Sequence, residues 1–188
     1  MVNSMSDNAL MVRVKRGEIE HLGSLFERYH RRLFAFFYRL TQRRDVSEDL
    51  VQAVFERIIK YRESFMDTHV FSTWMFTIAR NLHTDYHRKT TRDLLNLVDP
   101  NVDVMLAESV ESQTDTDSDL YKHQVRKALN RLDPDKKQVL ILSRFEGLRY
   151  KEIADIMECS EGAVKVRVFR ALQEMKEHIT AIRNMERL

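Results

Sequence analysis

A single cysteine in 188 residues leaves no disulfide to form within the chain, and no Cys/His group has the spacing of a structural zinc site. Two prolines and four glycines are too few for the many turns of an all-β protein, so helices are expected. No apolar run approaches the ~18 residues of a membrane span, and the N-terminus carries no signal-peptide core. A soluble, intracellular protein with no membrane insertion is the expectation. Against these absences stand 43% apolar and 32% charged residues, which suit a packed core and argue against wholesale disorder. The length fits one or two small domains.

The net charge of +2 says little about partners, but its distribution says more. Residues 1–92 carry 16 Lys/Arg against 11 Asp/Glu, residues 93–119 carry 8 acids and no base, and residues 120–188 carry 15 bases against 10 acids. Two mildly basic blocks therefore flank an acidic strip. Basic blocks suit a polyanion; the strip suits a basic channel, or equally a solvated linker.

Apolar spacing divides the chain further. Ser6 is placed to cap a first short helix that Gly17 closes. A second helix, roughly 18–42, carries Leu22, Leu25, Phe26, Tyr29, Leu33, Phe36, Phe37 and Leu40 at helical spacing. Asp45 followed by Glu48 reads as a capping-box variant that starts a third, to about Tyr61. Residues 64–70 break the pattern as a loop, and a fourth helix covers about 71–90. From Asp93 to Asp119 the chain is acidic and rich in Ser, Thr, Asn and Gln, with a helical turn expected near Val104–Val110. Helices resume near Leu120. Asp133-Pro134 starts one that Gly147 closes, a short one covers 150–157, and Ser160 caps a long last one to about Ile182. The fold class is all-α: two small helical domains, 1–92 and 120–188, joined by a flexible acidic linker, 93–119.

Two helices joined by the turn Glu158-Cys159-Ser160, the second basic on one side, have the form of a helix-turn-helix. At 100° per residue, Val164, Val168, Ala171, Leu172, Met175, Ile179 and Ile182 share one face of the last helix. The opposite face holds Gly162, Val166, Phe169, Arg170 and Gln173, flanked by Lys165 and Arg167. A Val and a Phe among cations suit a major groove, where apolar atoms meet thymine methyls and cations meet guanine edges or phosphates. Ser160 and the helix start can receive a phosphate. Cys159 reads as a small buried hydrophobe.

In the first half, Phe71, Trp74, Met75, Ile78, Ala79, Leu82 and Tyr86 share one face of the fourth helix, and Trp74 falls at its edge. Arg80 and Asn81 lie on the polar side, suited to phosphate and to a base edge. The preceding loop, with Phe65, Met66, Asp67, Thr68 and His69, can pocket an unstacked base. His83 and His87 have the i, i+4 spacing of two metal ligands, but no third stands nearby, so neither a metal nor any cofactor is expected. On the third helix Asp49, Gln52, Glu56, Lys60 and Glu63 form a mostly acidic stripe. It would repel DNA and could meet a protein. Spacing alone favours a solvated face with pairs such as Glu56–Lys60.

Both blocks resemble one family. DVSEDLVQAVFERI (45–58) and FSTWMFTIARNLHTDYHRK (71–89) resemble region 2 of sigma-70-type factors of the extracytoplasmic-function (ECF) group. Residues 128–172 resemble region 4 of the same group. The resemblance implies a promoter-specificity subunit of RNA polymerase, cytoplasmic and bacterial, not an enzyme, with no catalytic residue and no small-molecule substrate. It assigns reading of the −35 element to Lys165, Val166, Phe169 and Arg170, with Ser160 and Arg167 beside them. It assigns melting of the −10 element and capture of a flipped base to the loop Ser64–Val70 and Asn81, next to Arg80. It turns the acidic stripe, at Asp49 and Gln52 with Glu56 alongside, toward the clamp helices of the polymerase β′ subunit. Region 4 would grip the β flap, and the linker would thread toward the RNA exit channel. A cognate anti-sigma factor is a further implied partner. The competing reading is an autonomous helix-turn-helix regulator acting as a dimer, which leaves the stripe and the 64–90 block without a purpose.

Overall fold

The computed structural model describes residues 5–97 and 117–185. They form eight α-helices in two compact units, α1 to α4 in the first and α5 to α8 in the second.

In the first unit, α1 spans Asp7–Lys15, α2 His21–Thr41, α3 Arg44–Lys60 and α4 Phe71–Leu97. Ser6 caps α1 by accepting from the Ala9 N–H at 3.2 Å, and Gly17 takes a positive φ of 98° just beyond its end, as expected. The start of α3 differs from the expected capping box. The cap position falls two residues earlier, on Arg43, and Asp45 spends its carboxylate on that arginine, so it lies inside the first turn instead of capping it. The α2–α3 turn is closed by hydroxyls instead: Thr41 and Ser47 share a hydrogen bond at 3.0 Å, and Ser47 donates to the Arg43 carbonyl. α4 runs past the expected end near residue 90, through Leu97.

The core of this unit is aromatic. Leu25, Tyr29, Leu33, Phe36 and Phe37 of α2 meet Val54 and Ile58 of α3 and Phe71, Met75, Phe76 and Ala79 of α4, all buried. Phe36 packs edge-on to Phe76 with centroids 5.4 Å apart, and Tyr29 to Phe71 at 5.5 Å. Phe26, expected on the packed face of α2, is 40% exposed, because the neighbouring helices do not cover the whole apolar stripe.

The second unit holds α5 (Asp117–Asn130), α6 (Pro134–Arg144), α7 (Tyr150–Met157) and α8 (Glu161–Met185). α6 starts as the sequence implies: Pro134 opens the helix and the Asp133 carboxylate accepts from the Lys136 N–H at 3.1 Å. Gly147, with φ of 68°, turns the chain after it. α8 is the spine against which α5, α6 and α7 pack. Lys136 ties α6 to α8 through Glu174 at 2.7 Å, and Arg183 of α8 donates to Gln124 of α5 at 3.0 Å. Val164, Val168, Ala171, Met175 and Ile182 are buried as the angular count requires, but Leu172 is 38% exposed. It stands at the margin of the stripe, where the packed helices end.

The linker expected over 93–119 falls largely outside the described residues, as does the helical turn near Val104–Val110. Its first residues, through Leu97, continue α4, and its last belong to α5.

Candidate nucleic-acid interface

α7 and α8 are joined by the turn Glu158-Cys159-Ser160. Glu158 takes a left-handed conformation (φ 53°, ψ 46°), which ends α7 and redirects the chain. Ser160 then accepts from the Ala163 N–H at 3.2 Å and caps α8. Cys159 is half-buried, and Arg167 reaches its Sγ at 3.5 Å. Beyond the cap, Gly162, Lys165, Val166, Phe169 and Arg170 are all exposed, Phe169 at 67% and Val166 at 48%. A fully solvated helix face gains nothing from a bare phenyl ring between cations; a major groove does. Lys165 pairs with Glu161 at 3.5 Å, which keeps its ammonium over the first turn.

The polar side of α4 forms a second feature. Asn81 and Ser64 line a cavity of about 320 Å³ together with Arg57, Tyr61, Trp74 and Ile78. Trp74, Ile78 and Asn81 stand one turn apart on α4, so three side chains of one helix stripe make one wall. Trp74 is half-buried, with its ring packed edge-on to Phe65 at 5.3 Å. Arg80 is half-buried beside Asn81. No motif or spacing marks Arg57, Tyr61 or Ile78 as site residues; the sequence sets Trp74 and Ile78 on the apolar face and Asn81 on the polar side, and the structure brings all three to one cavity.

The loop before α4 divides in two. A 3-10 turn, Arg62–Ser64, continues from α3, and Met66, Asp67, Thr68, His69 and Val70 are exposed. Phe65 corrects the expectation that it faces outward: it is fully buried, with Phe71 and Trp74 against its ring, and cannot touch a base. An aromatic with apolar partners on two sides gains more from the core than from water.

On α3, Asp49, Gln52, Glu56 and Lys60 are all exposed along one stripe, while Glu63, expected to continue it, is exposed in the 3-10 turn beyond the helix end. Gln52 donates to Glu56 at 2.9 Å, and the Lys60 ammonium stands over the Tyr61 ring. Beside the stripe, Phe26, Phe34, Val51, Phe55 and Ile59 line an apolar groove of about 690 Å³ between α2 and α3, into which Gln52 and Glu56 also reach. The exposed Phe26 forms part of it, stacked on His30 and tilted against Phe55 at 4.9 Å.

His83 is buried while His87 is exposed, with their ring centroids 6.3 Å apart. Glu18, Glu20 and His21 bring ligand atoms within 4.8 Å of one another at the surface. Arg13 already holds Glu18 at 2.9 Å, with the Glu18 carboxyl lowered first by that bond, so the group is a surface ion-pair cluster. Among the described residues no helix is long and apolar enough to cross a membrane.

The first unit contains a match to the family model for Sigma-70 region 2, over residues 25–93, and the second a match to Sigma-70, region 4, over residues 122–175. The chain is 30% identical over 186 residues to the ECF RNA polymerase sigma-E factor of Haemophilus influenzae, covering 95% of this chain and 98% of that one. It is 28% identical to the ECF RNA polymerase sigma-E factor of Escherichia coli K12, over 95% and 97% of the two chains. It also resembles the sigma factor RpoE of Bartonella quintana, solved in complex with the anti-sigma factor NepR. That likeness has a TM-score of 0.70 at 28% identity and covers 85% of this chain and 96% of the other.

The two helical units, one carrying a helix-turn-helix with an exposed apolar and basic face, match the two regions of a promoter-recognition protein. The chain belongs to the sigma-70 family, in its ECF group. It is a promoter-specificity subunit that binds core RNA polymerase, recognises the −35 and −10 elements and initiates transcription. The family is not an enzyme class.

Proposed function

We propose a division of labour within this sigma subunit. Residues 120–188 read the −35 element, residues 1–92 melt and hold the −10 element and dock on the polymerase, and 93–119 link the two. The observation that carries the first assignment is the exposed Phe169 and Val166 between Lys165 and Arg170 on α8. In a major groove the phenyl and isopropyl groups meet thymine methyls while the cations take guanine edges or phosphates. Arg167 and the Ser160 hydroxyl, at the start of the same helix, hold the backbone.

For the −10 element, Asn81 offers paired donor and acceptor groups at the wall of a cavity that also holds Trp74 and Tyr61. Aromatic side chains and an amide lining one cavity suit an unstacked base. The exposed Met66, Asp67, Thr68 and His69 are assigned to the same element, and Arg80 stands next to Asn81 for phosphate. Phe65 supports this loop from below.

Docking on core polymerase is assigned to Asp49, Gln52 and Glu56, facing the β′ clamp helices. The apolar groove beside them supplies the water-excluding centre that a protein interface needs, and the stripe supplies its polar rim. The second unit grips the β flap. RNA synthesis is the polymerase's chemistry; this chain contributes no catalytic group and works in the bacterial cytoplasm, where a cognate anti-sigma factor holds it inactive. The Bartonella relative, solved with such a factor, supports that last assignment.

The test is reconstitution. Core RNA polymerase with the purified chain should give transcripts from discrete starts that core alone does not, with −35 and −10 sequences shared among them. The isolated chain should bind the same duplexes only weakly. Tight, cooperative binding of a palindrome by the chain alone would overturn the reading in favour of an autonomous dimeric regulator.

A further inference from the structure

The loop before α4 is held from behind by α1, a helix that precedes the stretch matching region 2. Asn8, in the first turn of α1, uses both ends of its amide. Its Nδ2 donates to the His69 carbonyl at 2.6 Å and, more loosely, to the Asp67 carbonyl at 3.4 Å. Its Oδ1 accepts from the Phe71 N–H at 2.9 Å and so caps α4 from another helix. At the far end of α1, Lys15 Nζ donates to the Phe65 carbonyl at 2.7 Å and stands 3.8 Å from the Asp67 carboxylate. The carbonyls of residues 65, 67 and 69 are thus all addressed from one helix. With these backbone groups drawn inward and Phe65 sunk in the core, Met66, Thr68 and His69 are left at the surface.

The anchor is itself fixed. Leu10, Met11 and Val14 of α1 are fully buried, and Asp7 accepts from Arg28 at 2.6 Å and from the Tyr29 hydroxyl. A loop left free would lose conformational entropy at every residue on gripping a base. A loop already tied down has met that cost on folding, and its shape then decides which base fits.

We propose that α1 is the positioning element of the −10 loop, with Asn8 and Lys15 setting base selectivity through the loop backbone without touching DNA. The proposal rests on the reading of residues 66–69 as part of the −10 surface.

The test uses polymerase reconstituted with each variant, on templates that differ one base at a time in the −10 element of a start site mapped in cells overproducing the chain. Asn8→Asp keeps an acceptor for the Phe71 N–H but removes the donor to the loop carbonyls. Lys15→Met keeps the aliphatic stem and removes the ammonium. Each should lower the ratio of transcription between preferred and disfavoured −10 bases roughly threefold to tenfold, the worth of about one hydrogen bond. Lys15→Arg, which restores a donor, should recover the ratio. Binding to core polymerase should not change. A uniform loss on every template with the ratio intact would mean a purely structural role and would overturn the proposal. Thr68→Ala and His69→Ala serve as direct probes of the loop. If they alter the ratio and the α1 variants do not, the positioning claim fails while the loop reading stands. If neither set alters it, the loop reading fails and takes the proposal with it.

Discussion

The Arg80 guanidinium donates to the Asn81 side-chain oxygen across 3.2 Å. Two neighbours on one helix are therefore coupled, and the Asn81 amide is oriented before any base arrives. Asn81→Ala should lower transcription from a fully paired promoter. On a template whose −10 region is already mismatched the melting cost is gone, but a base still has to be held, so partial rescue is expected. Binding of −35 duplex should be unchanged. Equal activity of mutant and parent on both templates would remove Asn81 from the site and leave base capture to the loop.

Stability of the second unit should depend on Asp133 in a pH-dependent way. Burial raises its carboxyl, but the bonds to the Lys136 side chain and backbone outweigh that, and the group ends below its ordinary value. A folded pKa below the unfolded one stabilises the fold fully above about pH 4. That contribution is lost as the pH falls through the folded value. Asp133→Ala should cost about 1 kcal/mol at pH 7, the usual worth of such a cap, and progressively less in acid. Asp133→Asn keeps the acceptor without the charge and should show little pH dependence. Urea unfolding followed by circular dichroism at pH 7 and pH 3 checks both; a gap between parent and Ala variant that is the same at the two pH values would count against the assignment.

Helices and their faces were legible because their signals are local. Ser6, Gly17, Asp133-Pro134 and Gly147 act within a few residues, and the 3.6-residue period sorts Val164, Val168 and Ala171 inward and Val166 and Phe169 outward. Periodicity does not say how far a partner covers a face, which is why Phe26 and Leu172 share the spacing of the buried stripes and yet are exposed. In a loop there is no period at all, so nothing local distinguished buried Phe65 from exposed Met66. The tether from Asn8 to His69 joins residues 61 apart in sequence and leaves no trace in composition or spacing. Asp45 misled for a different reason: a neighbouring Arg43 competes for the carboxylate that a cap would use.

The acidic stripe on α3 gives a prediction about assembly. Asp49→Lys combined with Gln52→Ala should weaken binding to core polymerase while leaving the helix intact, since both positions are exposed in the free chain. Removing a charge that becomes buried and paired at an interface costs about 2–5 kcal/mol, and most of that appears as faster dissociation. Far-ultraviolet circular dichroism controls for folding, and co-purification with core polymerase reads the effect. Unchanged co-purification would return the stripe to a solvated face.

On α8, Arg170 and Phe169 separate two kinds of contact. If Arg170 meets a guanine edge, Arg170→Ala lowers discrimination among −35 sequences by about 1–3 kcal/mol at that position. If it holds a phosphate, all sequences weaken alike and the slope of log affinity against log salt falls by about one unit. Phe169 carries no charge and is 67% exposed in the free chain. Its removal should therefore leave both the salt slope and the folding stability nearly unchanged. What it should lose is the preference for thymine over a base without the methyl group, and replacing that thymine by uracil should reproduce the loss in the parent chain. The two measurements, salt slope and thymine-to-uracil response, are made on the same holoenzyme with −35 duplexes. A Phe169→Ala chain that still distinguishes thymine from uracil as well as its parent would place the ring outside the groove, and the reading face of α8 would then rest on Val166 and its flanking cations.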